Sequence, residues 1–214
     1  MKSLFTLLLT MFFGLAAFAT IQYPDKIIYK GKVYDLQDNP LESYFDKNPD
    51  KRPEFTSTAL WRGYRATFEL KDGQLYLKEI EILFIDTTVR DYDKRRWKSI
   101  IHEIFPDQID AKMSWLTCIC ILVMPYGEAD FNNIDYKNYI LLEIDKGDLK
   151  KEEHLKYKEY VKFKEKQFKA FKKTDEYEKV KAIFKDDYFD DDEELIDEFI
   201  KDDIFKYTPK ILIK

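Results

Sequence analysis

Asp72-Gly73 stands between two runs of alternating polarity, and no other feature limits the possible folds as much. Both central residues of a type I′ turn need positive φ, and Asp-Gly is among the pairs that supply it at least strain. Ahead of the turn, Leu60, Tyr64, Ala66, Phe68 and Leu70 alternate with polar Arg65, Thr67 and Glu69, the period of a half-buried strand. A two-residue turn sets Leu70 opposite Leu75 and Phe68 opposite Leu77, so both strands bury one face. Past Leu77 the apolar phase moves to Ile80, Ile82 and Phe84, which predicts a bulge near Lys78-Glu79. A chain with this hairpin contains a sheet.

Other segments extend the sheet. Ile27-Ile28-Tyr29 and Val33-Tyr34 flank Lys30-Gly31, a second two-residue turn. Residues 115–124 are apolar on both faces, as a mid-sheet strand requires, and 139–144 form another strand closed by Asp145-Lys146-Gly147-Asp148. Residues 39–45 predict a short helix, with Asn39 as cap and Pro40 at its first position, and 47–53 a loop. Residues 93–105 predict a helix, striped by Trp97, Ile100, Ile101 and Ile104 and stopped by Pro106. The expected fold class is α+β. It has an antiparallel or mixed sheet of about five to seven strands with one packed helix, then a C-terminal helical segment.

That segment is expected from residue 149 on. Residues 151–173 lack Gly and Pro, and Tyr157, Tyr160, Val161, Phe168 and Phe171 recur at helical spacing. Thr174 caps a second helix carrying Tyr177, Val180 and Phe184; Asp190 or Asp191 caps a third, with Leu195, Ile196, Phe199 and Ile200. The apolar tail Ile211-Leu212-Ile213 is expected to dock as a last strand. Charge is segregated: residues 149–173 hold ten Lys against four Glu, and 186–203 hold eleven acids against Lys201 alone. Such blocks pair with each other or face a partner; Tyr160, Phe168, Phe171, Leu195 and Phe199 are the expected apolar contacts.

The N-terminus reads as an export signal. Met1-Lys2 precedes an apolar run of about ten residues, too short for a bilayer, and Ala17-Phe18-Ala19 offers a small-x-small cleavage site. The expectation is a signal peptide over 1–19 and a single domain over 20–214, sheet-rich over 20–148 and helical over 149–214. Delivery to the periplasm or outside the cell follows. With 45% apolar and 16% aromatic residues, the chain has material for a core. Its net charge of -5 disfavours nucleic-acid backbones as partners, and no segment after the signal is long enough to cross a membrane.

The residue types that announce catalysis are scarce. There is no Gly-x-Ser-x-Gly elbow, no Walker loop and no Gly-x-Gly-x-x-Gly. His102-Glu103 begins a zinc-protease pattern, but Pro106 stands where the second His belongs, and His154 falls in the expected long helix, facing solvent. The acids of 186–194 lack the spacing and central Gly of a calcium loop. Cys118 and Cys120 lie on one strand face about 7 Å apart; two small buried residues outweigh a redox or soft-metal pair. No cofactor and no metal are expected. One constellation rises above this background: Trp61-Arg62-Gly63-Tyr64-Arg65. Trp, Tyr and Arg are enriched at binding hot spots. Arg62 shares the inward alternation of Leu60 and Tyr64, so it needs an internal acid or a ligand anion. Trp61, Arg62, Tyr64 and Arg65 are the candidate binding residues.

Residues 27–32, 39–42, 57–64 and 75–77, continuing through 138–144 into the Lys-rich segment, resemble a family of exported bacterial proteins of unknown function. The resemblance implies one envelope or exported domain and brings no catalytic residue. Two functions stay open. One is a non-enzymatic binding protein of the cell envelope, for example an immunity or inhibitor protein against a basic toxin. The other is a carboxylate-dependent hydrolase of envelope glycans or peptides.

Overall fold

Hairpin chemistry dominates the fold as it dominates the sequence. A computed structural model describes residues 22–88, 94–106, 112–125, 138–185 and 192–213; the expected signal peptide and the start at Thr20 lie outside them. Strands β1 (Asp25–Tyr29) and β2 (Lys32–Leu36) meet at Lys30-Gly31, and β3 (Arg65–Lys71) and β4 (Gln74–Ile85) at Asp72-Gly73. Strands β7 (Asn138–Asp145) and β8 (Asp148–Lys156) meet at Lys146-Gly147, and all three turn pairs have positive φ at both residues. Leu70 pairs with Leu75 and Phe68 with Leu77, and Lys78 is the extra residue that carries the register to Thr67↔Glu79.

The sheet closes on itself, a feature absent from the expected antiparallel or mixed sheet with one packed helix. With β5 (Arg95–Ser99) and β6 (Cys118–Val123), the strand order is β3-β1-β2-β6-β7-β8-β4, and β4 returns to β3. Seven strands thus form a barrel, with β5 hung on β4 outside the ring. The sheet is mixed, because β1 and β3 run parallel. Closure between β4 and β8 is made by their turns: Leu75 N–H donates to Gly147 O and Leu149 N–H to Gly73 O, each at 2.8 Å.

Two strand faces create two cores. Strand β6 sends Cys120 and Leu122 into the barrel, among Phe68, Leu75 and Ile80, and Ile119, Ile121 and Val123 outward. The outward residues, with Tyr139 and Leu141 of β7, meet α3 (Tyr157–Phe171), α4 (Asp175–Phe184), α5 (Glu193–Asp202) and α6 (Ile204–Tyr207). The two-faced apolar run is therefore a strand between barrel interior and helical layer. Thr174 caps α4 by accepting from Tyr177 N–H; α5 is capped by Asp192, because its side chain accepts from Leu195 N–H. Asp190 and Asp191 lie outside the described residues.

Several expectations are corrected. Residues 95–99 are strand, leaving a helical turn only at α2 (Ile101–Ile104); Trp97 packs edge-on to Tyr23 and under Arg65. Residues 148–156 continue the sheet as β8, so the helical part starts at Tyr157 rather than 149. Helix α1 (Glu42–Phe45) starts later than expected, and the Asn39 side chain serves Arg62 instead of capping. The tail docks without a ladder: Ile211 N–H donates to buried Glu143 and Leu212 N–H to buried Gln167. In α5 the inward residues are Ile196 and Ile200, while Leu195 and Phe199 face outward. No helix among the described residues is long and apolar enough to cross a membrane.

Candidate functional site

The four residues singled out in the sequence separate into three environments. Gly63 has φ +83°, and a Cβ there would lie 2.4 Å from Pro53 O, so residues 61–63 form a turn against 53–54 rather than mid-strand as expected. The indole of Trp61 consequently stands out, 57% exposed. Arg62 is 3% exposed and takes the internal-acid alternative. Its guanidinium lies 3.3 Å from Asp25 and donates to Asn39 and to Tyr23 O. Tyr64 is buried and donates to Glu42 at 2.7 Å. Arg65 turns away, bonded to Glu81 at 2.8 Å and lying 3.6 Å over the Trp97 ring. Asp25 is fully buried, and burial pushes its carboxyl up to about 6 against the pull of Arg62.

Arg62 and Tyr64 thus hold Asn39 and Glu42, which line a cleft where the β2–α1 loop meets α6 and the start of β6. The cleft has a volume of about 450 Å³, and Asp38, Asp46, Trp61 and Cys118 also border it. A second cavity of about 360 Å³ adjoins it through Asp38, Phe205 and Lys206, and adds Tyr160, Asp202 and Asp203. Both are in the range of small-ligand sites. Among the described residues Lys206 is the one basic residue in either lining, against five acids. Its Nζ lies 2.7 Å from Asp203, while Arg52 neutralises part of the field by bonding Glu42 and Asp46.

Asp38 is the central residue. Burial pushes its carboxyl up to about 6, opposed by the charge of Lys206 and by the backbone N–H of Ile121. Its Oδ2 is enclosed and takes no hydrogen bond from any described residue. Nothing in the sequence marks it: Asp38 only precedes the expected cap at Asn39, and Lys206 and Asp203 lie far along the chain.

The remaining candidates stay separate from this site or at its edge. Cys118 and Cys120 converge until their sulfurs are 3.5 Å apart, closer than the backbone spacing expected. Cys118 borders the cleft, whereas Cys120 is buried, its thiol pushed up first by the Cys118 contact and then by burial. His102 is exposed on α2. His154 is also exposed, but on β8 rather than a helix, and contacts Glu152. Among the described residues no group of His, Cys, Asp and Glu is arranged to hold a metal ion. Glu193, from the acidic run, gathers Lys181 and Lys185; Asp186, Asp187, Asp190 and Asp191 lie outside the described residues. No family model, curated protein or solved structure matches the chain.

Proposed function

We propose that the protein is a non-enzymatic binding protein of the bacterial cell envelope whose barrel–helix cleft receives a basic segment of another protein. An immunity or inhibitor protein that neutralises a basic toxin is a specific form of this reading. One observation carries it: among the described residues, five acids and a single lysine line the adjoining cavities, with an exposed tryptophan at the rim. Acids in a walled cleft concentrate field lines toward an approaching cation, and the net charge of -5 steers in the same direction. Trp61 supplies the flat, amphipathic surface typical of interface hot spots. Calorimetric titration with a Lys/Arg-rich decapeptide, and with its Asp/Glu counterpart, tests the reading. Binding of the basic peptide alone, weakening as salt rises, is expected; equal binding of the acidic peptide removes the reading.

A second reading, a carboxylate-dependent hydrolase of envelope glycans or peptides, is favoured by one feature. Asp38 has its carboxyl raised to about 6 in a cleft bordered by Trp61, which suits a general acid beside a sugar-stacking ring. Turnover of a glycoside or peptide panel, abolished in Asp38→Asn, would establish it. Absence of turnover together with basic-peptide binding leaves the first.

A further inference from the structure

The geometry points to Asp38 as the anchor of this cleft, gripping the ammonium or guanidinium at the tip of one lysine or arginine side chain of a basic partner protein. The inference rests on the binding reading above and names the group that the site holds.

Asp38 lies where the two cavities meet and belongs to the lining of both. Its carboxylate receives the backbone N–H of Ile121, yet Oδ2 is buried and takes no hydrogen bond from a described residue. Tyr29 OH, Asp25 Oδ2 and Asp35 Oδ1 are likewise buried without a hydrogen bond among the described residues, but of these four atoms Asp38 Oδ2 alone belongs to a residue lining the two cavities. A carboxylate oxygen without a donor carries a desolvation penalty that a positioned N–H relieves. Lys206 is the only cation among the described residues of the lining, and its Nζ bonds Asp203 at 2.7 Å. It stands beside Asp38 and lowers its field without donating to Oδ2.

The surroundings select a cation on an alkyl stem. Leu116, Ile119 and Phe205 give an apolar wall, along which such a stem lies while its charged tip seeks oxygen. Glu42 and Asp46 add negative potential, and the exposed face of Trp61 attracts a second cation of the same segment. An anion would face Asp38, Glu42, Asp46, Asp202 and Asp203 together, and a neutral group would leave the Asp38 charge offset only by Lys206 and the Ile121 N–H. Lys206 then acts as the internal competitor of the incoming group, since both are drawn to the same field. Two substitutions therefore have opposite effects: removing the Asp38 charge weakens binding, and removing the Lys206 charge strengthens it.

Amide shift titrations by NMR test this with Nα-acetyl-arginine and Nα-acetyl-lysine methylamides, the Lys/Arg-rich decapeptide, and spermidine. The purified protein is compared with Asp38→Asn and Lys206→Met. Shifts are expected at Asp38, Asn39, Lys206 and the Trp61 indole. Asp38→Asn should lower decapeptide affinity tenfold or more, and Lys206→Met should raise it threefold or more. Decapeptide binding that neither substitution alters overturns the anchor and leaves the acidic-cleft reading standing. Failure of the decapeptide to bind the unaltered protein overturns both. Spermidine binding as tightly as the decapeptide, with the same response to both substitutions, moves the source to a free polyamine and overturns the protein partner.

Discussion

Asp25, fully buried, and Asp38, half-buried with its Oδ2 enclosed, both have values raised to about 6, yet they do opposite work. Asp25 accepts from Ala66 N–H at 2.8 Å and faces Arg62, so its charge is part of a pair. Asp25→Asn strands a buried guanidinium and should cost about 3–5 kcal/mol. The Oδ2 of each takes no hydrogen bond from a described residue, but Asp38 faces no buried guanidinium, so Asp38→Asn should leave stability at neutral pH equal or higher by on the order of 1–2 kcal/mol. The pH dependence follows from the sign of the shift. A carboxyl raised in the folded state contributes stability that is full below its unfolded value of 3.8 and is lost as pH rises through about 6. The melting temperature of the unaltered protein should therefore fall from pH 5 to pH 7 more steeply than that of Asp38→Asn. Parallel slopes would show that Asp38 is not held in the raised state. Glu152, which burial raises but hydrogen bonding with Lys30, Tyr29 and His154 holds down at about 2, contributes in the other sense. Its stabilisation is present above 4.5 and lost only as pH falls toward 2, outside this window. Gly63 gives a second residue-scale test. Gly63→Ala drives a Cβ into the backbone carbonyl of Pro53, which has no side chain to yield, whereas at Gly31 the same atom meets nothing within 4 Å. Denaturant titration should show about 1–2 kcal/mol lost at Gly31, the strain of a left-handed residue, and clearly more at Gly63. Equal losses would disprove the close approach.

Among the elements, α5 decides how the helical layer is held. Asp192 fixes its phase, and that phase turns Ile196 and Ile200 inward, followed by Ile204 of α6, all fully buried. Ile196→Ala or Ile200→Ala should each cost about 2–5 kcal/mol, and Leu195→Ala much less. The opposite order in thermal melts would shift the helix by one position. Charge adds a smaller part. Lys172 meets Asp197 at 2.6 Å and Lys164 meets Asp202 at 3.7 Å across α3 and α5. Glu193 meets Lys181 at 2.9 Å and Lys185 at 3.3 Å from α4. These are exposed pairs, each worth a few tenths of a kcal/mol, so together about 1 kcal/mol. Raising chloride to 1 M shortens the screening length to about 3 Å and should lower the melting temperature slightly. A rising melting temperature would mean that self-repulsion of the acids outweighs pairing, and that the acidic helix is poised for a partner.

For the whole molecule the joint between β4 and β8 is the decisive feature, since it turns a curved sheet into a barrel. It consists of two hairpin turns laced by Leu75 N–H to Gly147 O and Leu149 N–H to Gly73 O. The segment before β6 secures it, with Met113 N–H on Leu75 O and Gly147 N–H on Leu116 O. If the joint opens only with the barrel, the amides of Leu75 and Leu149 exchange hydrogen as slowly as Leu141 in the barrel wall. Fast exchange confined to those two would identify the sheet as open in solution.

What the sequence by itself determined is local. Lys30-Gly31, Asp72-Gly73 and Lys146-Gly147 bend the chain because their own dihedral preferences do so, and alternation around Asp72-Gly73 fixed the register and the bulge at Lys78. Two-sided burial of residues 118–123 and the Thr174 cap were legible for the same reason: each rests on neighbours within a few positions. Only the tertiary structure decided the remainder. Residues 151–156, Lys-Glu-Glu-His-Leu-Lys, are helix formers in isolation, yet β7 offers a ladder from Asn138 to Asp145 that outweighs propensity. Residues 95–99 become strand because the free edge of β4 sets Leu83 opposite Trp97. Within the predicted binding constellation, the sequence left Arg62 either an internal acid or a ligand anion, and the structure supplies the acid, Asp25. The cleft itself was invisible, since Asp38, Cys118 and Lys206 are brought together by barrel closure and helix docking. Backbone preference acts within a turn, whereas a site is made by surfaces that meet only once distant segments have buried their apolar faces.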